Sequence, residues 1–292
     1  MKIEKFEGDL EEVDCPLCGK GAGRETVYLR EDGIGFYRCK GCNIQFASPR
    51  FTEKSLLNIY ESEEWKDVSE YGDWTFDKWK EERDHSYYLV QQNIELIKRY
   101  LPSGSRILDV GCDIGLTVRS LNDSGYIAEG VEPSSLGAKI SREKTGITVH
   151  EMELGSFHPD EEFDGLMILD VLEHLYDPLK TLGECADRIK KGGYIFIHVP
   201  NHRGISNRYK AKINKWGLKK TFNHFGFPAH IYHFDKKSLN VALEKSGFRV
   251  LDFESWSKAL TEGRVNWKTK LLIASAKKWA HSDYIICVAK KL

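Results

Sequence analysis

Four cysteines near the start of the chain, Cys15, Cys18, Cys39 and Cys42, fall in the pattern C-x2-C-x20-C-x2-C. Two such knuckles can gather four thiolates around one zinc ion, and four thiolates leave no open position for water or substrate, so the spacing predicts a structural metal. The alternatives are disulfides or four unrelated buried cysteines. Met1 to Val13 is charged and lacks an apolar signal core, so nothing points to an oxidising compartment, and a cytoplasmic location is expected. Further on, Ile107-Leu108-Asp109-Val110-Gly111-Cys112-Asp113-Ile114-Gly115 reads as a buried strand running into a glycine turn that would leave backbone N–H groups facing a ligand. About 20 residues later, after an apolar run from Ile127 to Val131, stands Glu132, where nucleotide-binding sheets place an acid to grip the ribose hydroxyls of a nucleoside. Among the ten histidines, His174 and His230 fall in segments expected to leave the carboxyl end of a sheet, where an imidazole could take a proton at neutral pH. His85, His150 and His281 read as ordinary surface, and His198 as a satisfied core residue.

Which nucleoside the turn would hold is constrained by its glycines. The dinucleotide fingerprint needs glycine at 111, 113 and 116, and the chain has Gly111, Asp113 and Leu116, which disfavours NAD. The stretch Leu108 to Gly115 instead resembles motif I of the class I S-adenosylmethionine-dependent methyltransferases. It keeps Asp109, Gly111 and Gly115 and carries Asp113 at the middle glycine; aspartate is among the few residues that tolerate left-handed backbone angles. The likeness continues in order. Phe163 to Asp170 is similar to the fourth strand of that family. Val171-Leu172-Glu173-His174-Leu175-Tyr176-Asp177-Pro178 is similar to the segment that follows it in a large subfamily. Asp177 and Pro178 suit the start of a helix to Lys191, ended by Gly192 and Gly193, before a fifth strand from Tyr194 to Val199. Phe234 to Phe248 matches the helix and Ser-Gly-Phe ending before strand six (Phe248 to Phe253), and Tyr284 to Ala289 suits strand seven.

The resemblance covers roughly residues 85 to 292 and implies an α/β fold, a seven-stranded Rossmann-like methyltransferase sheet with a small N-terminal zinc ribbon. It implies S-adenosylmethionine as cofactor, held by Asp109, Gly111, Asp113, Gly115, Glu132 and Asp170, with the adenine near Glu153 or Leu154. Phe227 to Phe234 further resembles the active-site stretch of zinc-ribbon sugar methyltransferases, in which a Tyr-x-Glu-His arrangement supplies the base. Here Phe227 and Ala229 replace the Tyr and Glu while His230 remains. That departure argues against C-methylation of a keto sugar. His230 is the expected base, with His174 supporting it or taking its place.

These residues need a scaffold, and the length of 292 residues allows a full nucleotide-binding domain plus one small module. We expect a zinc ribbon over residues 1–50, a helical linker or lid over 51–100 carrying Trp65, Trp74 and Trp79, and the methyltransferase domain over 101–292. The early helices could cap the sheet or close over the cofactor. Charges nearly cancel at a net −1, yet no acid occurs from Arg188 to Phe234, and Arg203, Arg208, Lys210, Lys212, Lys215, Lys219 and Lys220 crowd an insertion near 201–230. A basic segment there suggests a phosphate-bearing acceptor such as a nucleotide sugar, or else a solvated surface helix. No apolar run is long enough to span a membrane. The expected activity is O-methylation of a sugar, nucleotide sugar or related small molecule. RNA methylation, with nucleic acid as partner, is the second reading, and a non-catalytic scaffold that keeps the fold is the third.

Overall fold

A computed structural model describes residues 8–30, 33–61, 75–83, 85–204, 226–256 and 283–292. Seven strands form one mixed sheet: β6 (Arg106–Val110), β7 (Ile127–Val131), β8 (Val149–His150), β9 (Phe163–Leu169), β10 (Ile189–Pro200), β12 (Phe248–Trp256) and β13 (Tyr284–Lys291), in the spatial order β12-β13-β10-β9-β6-β7-β8. β13 runs antiparallel to both neighbours, and every other pairing is parallel. The chain steps outward from β6 through β7 to β8, then returns to β9 on the other side. The gap above β6 and β9 is therefore the topological switch point where such sheets bind ligands.

Side chains alternate across this sheet as a period of two requires. Ile107, Met167, Phe196, Ile286 and Val288 face one core, shared with α2 (Phe76–Glu82), α3 (His85–Lys98) and α4 (Leu116–Asp123). Leu108, Leu166, Ile168, Ile195, Ile197 and Cys287 face the other, shared with α6 (Pro178–Arg188) and α7 (Lys236–Lys245). The expected helix to Lys191 stops at Arg188. Ile189, fully buried, already pairs with Phe163, and the Arg188 guanidinium donates to the carbonyls of Phe157, Glu184 and Leu154, so the chain turns into the sheet three residues early. A break in register then separates Ile189 from Tyr194. β12 and β13 run past the expected Phe253 and Ala289, to Trp256 and Lys291.

The N-terminal knuckles carry β2 (Arg24–Leu29), β3 (Gly35–Cys39) and β4 (Gln45–Ser48), and the fourth strand of this small sheet, β11 (Tyr232–His233), comes from the far end of the chain. Tyr232 pairs with Phe46 and His233 with Gln45, and the Ala47 N–H donates to the Ile231 carbonyl at 3.1 Å. Leu17, Ile44 and Phe46 share a core with the main sheet and α7, while Ile34, Phe36, Phe51 and Leu56 bury Phe227. Phe227 meets Phe36 edge to face at 5.9 Å and stacks on Phe51 at 5.8 Å. The ribbon thus packs as a wall of the main domain and grips the segment that carries His230.

Ahead of the sheet, α1 (Glu53–Glu61) and α2 precede α3, and the Thr75 hydroxyl caps α2 by accepting from the Lys78 N–H. Phe76 and Trp79 are buried against Ile94, Ile97 and Leu121, so this part caps the sheet face. Trp65, Trp74 and the basic residues from Arg208 to Lys220 lie outside the described residues; Arg203 stands against Asp235 at 3.5 Å. Among the described residues no helix is long and apolar enough to cross a membrane.

Candidate active site

The glycine turn closes the carboxyl end of β6. Gly111 has φ 72° and Gly115 φ 78°, and a Cβ on either would fall 2.6 Å from Val171 Cγ2 or 2.4 Å from Ile147 Cδ1, so both positions require glycine for angle and for space. Asp113 takes φ 46° in place of the family's middle glycine, as its tolerance of that region allows. Glu132, at the end of β7, is 8% exposed, and its two carboxylate oxygens accept the N–H of Asp113 at 2.9 Å and of Ser134 at 2.8 Å. The turn and the acid are therefore one unit: the carboxylate holds open the loop beneath which a nucleoside would lie. Burial raises the Glu132 pKa against these two bonds. Asp109, 3% exposed, is pushed up to about 8 by burial and by the Glu132 charge. Beyond β8, Glu153 is exposed, whereas the Leu154 side chain is 6% exposed in the core and its carbonyl accepts from Arg188. Of that pair, only Glu153 presents its side chain to solvent.

Across the switch point, β9 ends at Leu169, and the next residue, Asp170, with φ 55°, swings the chain into a short 3-10 turn over Leu172–His174. Asp170 Oδ1 approaches His198 Nδ1 to 3.0 Å without the alignment of a hydrogen bond. Burial acts to raise the Asp170 pKa, but its interactions with the imidazoles of His198 and, after it, His230 and His174 bring it below the usual value. His198 is fully buried, as expected of a core residue, yet neither ring nitrogen finds a hydrogen-bond partner. It stacks on Tyr284 at 4.6 Å and leans on Asp170, so the expected core placement holds, while the expectation that its hydrogen bonds are satisfied is corrected.

The two candidate bases meet here. His174 and His230 lie edge to face, ring centroids 4.7 Å apart, although 55 residues separate their turns. His174 Nδ1 is 3.0 Å from the Ala229 carbonyl, which can only accept, so Nδ1 carries the proton and Nε2 keeps its lone pair. Burial lowers the His174 pKa, so the ring is neutral at pH 7. Asp235 caps α7, accepting from the Ser238 N–H, so that helix does not need His230 as its cap. The Ile231 N–H donates to the Glu173 carbonyl at 3.0 Å, tying the two loops at backbone level. Glu173 is 1% exposed and neither of its carboxylate oxygens has a partner. Burial, with the Asp170 charge, raises its pKa well above the usual value. Sequence reasoning gave Glu173, His198 and Tyr284 no part in the site; the acid next to His174 was the available signal.

In the ribbon, the sulfurs of Cys15, Cys18, Cys39 and Cys42 all lie within 4.8 Å of one another, with Cys15 and Cys42 at 3.5 Å. Sulfurs on a tetrahedral ion with bonds of about 2.3 Å stand about 3.8 Å apart, so the set fits zinc. The Cys18 N–H points at the Cys15 sulfur at 3.3 Å. Without an ion the S–H···S contact from Cys42 lowers Cys15 to about 5, while the same contact and burial raise Cys42.

Parallel strands, a left-handed glycine turn and a buried acid at the end of the next strand define a nucleotide-binding type of fold, with two imidazoles in contact on loops after β9 and before α7. The chain belongs to the methyltransferase-domain family, whose pattern matches residues 80–252. It is 37% identical over 151 residues to the uncharacterized protein MJ1123 of Methanocaldococcus jannaschii, covering 51% of this chain and 69% of that one. It is 30% identical over 112 residues to a ubiquinone biosynthesis O-methyltransferase of Thiobacillus denitrificans, covering 36% of this chain and 48% of that relative. The match thus spans about half the length of that O-methyltransferase. In fold it is similar to an S-adenosylmethionine-dependent methyltransferase of Thermotoga maritima, with a TM-score of 0.54 at 19% identity over 80% of this chain and 99% of that one. It is also similar to the magnesium protoporphyrin IX methyltransferase of Synechocystis PCC 6803 with bound S-adenosylhomocysteine, with a TM-score of 0.54 at 15% identity over 82% and 100%.

Proposed function

We propose that this chain transfers a methyl group from S-adenosylmethionine to an oxygen of a sugar, nucleotide sugar or related small molecule, with His230 or His174 taking the hydroxyl proton. The contact between these two imidazoles, one on the turn that follows β9, carries the reading. The sulfonium cofactor supplies an already activated methyl, so the chain's own work is alignment and proton removal. Glu132 would hold the ribose, Gly111, Asp113 and Gly115 would shape the turn beneath the methionine part, and Asp109 and Asp170 would set the charge around it. The Glu153 side would receive the adenine. The neutral His174 ring, oriented by Ala229, offers a lone pair to the acceptor, and the resemblance to sugar methyltransferases favours His230 beside it. Four thiolates in the ribbon would hold a structural zinc that keeps β4 against β11.

The name of the Thiobacillus relative supports oxygen as the acceptor atom. Calorimetry with S-adenosylmethionine, followed by labelled methyl transfer to nucleotide sugars, free sugars and phenols with RNA in parallel, tests the reading. Cofactor binding with transfer to a small hydroxyl acceptor is expected. Absence of cofactor binding would leave the scaffold reading, and transfer to RNA alone would establish the second.

A further inference from the structure

We propose that Glu173, His174 and His230 form a second metal site, one that takes a single divalent first-row transition ion such as zinc beside the place proposed for the acceptor. The inference rests on the proposed function only for where the acceptor lies. One donor atom from each residue lies within 4.8 Å of the other two. Donors on such an ion stand about 3 to 3.5 Å apart when adjacent and about 4.2 Å when opposed, so small rotamer movements gather the set.

Glu173 supplies the independent observation. It is 1% exposed with both carboxylate oxygens unpartnered. A carboxylate left so inside a protein costs free energy unless something outside the chain completes it. The Asp170 carboxylate nearby adds negative charge to the same spot. His174 is arranged as metal-bound imidazoles are: its Nδ1–H is spent on the Ala229 carbonyl, which aims Nε2 and raises its basicity. Two imidazoles and one carboxylate suit zinc, iron or manganese better than magnesium or calcium, and three protein donors leave positions open, unlike the four-thiolate ribbon. Glu173 lies buried behind while both imidazoles are half-buried, so the open positions lie on the solvent side. An ion there would hold both rings as ligands, so ion binding and a histidine base are exclusive states of the same imidazoles.

The test uses the full chain, its ribbon loaded with zinc, titrated with cobalt(II) and, separately, zinc(II), without cofactor or acceptor. Cobalt on nitrogen and oxygen donors gives weak visible bands, whereas cobalt in the cysteine cluster gives intense thiolate charge-transfer bands, so the two sites are told apart. Wild-type protein should take up about one equivalent beyond the ribbon metal, with the weak bands only, and both Glu173→Gln and His230→Ala should lose it. No uptake beyond the ribbon metal would overturn the proposal, as would an extra equivalent that persists in both variants. If one variant does not fold by circular dichroism, the other and the wild-type stoichiometry decide. Affinity for S-adenosylmethionine in the same preparations reports separately on the methyltransferase reading.

Discussion

Glu132 offers the sharpest single test, because its carboxylate is asked to do two things. It holds the N–H of Asp113 and of Ser134, one on each oxygen, and each oxygen retains a lone pair for a ribose hydroxyl. Glu132→Gln keeps the shape but turns one oxygen into an NH2 that faces an N–H, so one backbone bond becomes a donor–donor clash and the charge is lost. Two charge-assisted bonds to the ribose would contribute about 1.5 to 3 kcal/mol each before water replaces them. We expect a net loss of about 2 to 4 kcal/mol in S-adenosylmethionine binding, which is roughly 30- to 700-fold in Kd. Calorimetry on wild type, Glu132→Gln and Glu129→Gln measures it. Glu129 sits on the same strand but bonds Arg106 and His150, so its substitution controls for charge and strand stability and should leave affinity within about twofold. A folded Glu132→Gln protein that binds the cofactor within about twofold of wild type would refute the ribose role.

Once an acceptor is known, His230→Ala and His174→Ala should each be compared with wild type for turnover and cofactor affinity; loss of the working base lowers turnover by about 10² to 10⁴ with affinity unchanged, and near-normal turnover in both would remove base catalysis by histidine. Replacing Cys39 by Ala should remove about one equivalent of zinc and, by hydrogen exchange, the protection of residues 226–234 as well as that of the ribbon, while β6 and β9 stay protected; retained protection at 226–234 would show that the ribbon does not hold the His230 segment. Burial holds His202 down at about 4, although its Nδ1–H donates to the Phe234 carbonyl. The unfolded chain takes that proton near 6.5 and the native state resists it, so stability should fall as pH drops from about 6.5 to about 4 and level off below. The contribution is about 3 kcal/mol at most, and denaturant midpoints of wild type and His202→Gln across that range should show the slope in the first and its reduction in the second.

The described helices and strands were legible where local pattern and burial agree. Ile127–Val131 and the turn from Gly111 to Gly115 appear where expected, because a short run ending in Gly130 and Val131 suits a strand beside the glycine turn and because left-handed angles leave few residue types to choose from. The helix before β10 was overextended because Lys190, Lys191 and two glycines look like a helix end, while the true stop is set by Ile189 entering the sheet and by the carbonyls that capture Arg188.

By itself the sequence determined what depends on residue type and short spacing: four thiols in two knuckles, a strand with a glycine turn, an acid one strand later, and a methyltransferase resemblance from about residue 85 onward. Only the tertiary structure decided what depends on residues far apart in the chain meeting. Phe227 and Tyr232 could not be known as ribbon partners until β11 was seen to complete the small sheet, and His174 and His230 could be named separately but not as a pair in contact. Glu173 carries no local mark of being orphaned, because a glutamate in a polar turn reads as solvated until packing closes over it. Burial and unmet hydrogen bonds are properties of the whole fold, and they set the protonation and the ligand appetite of this site.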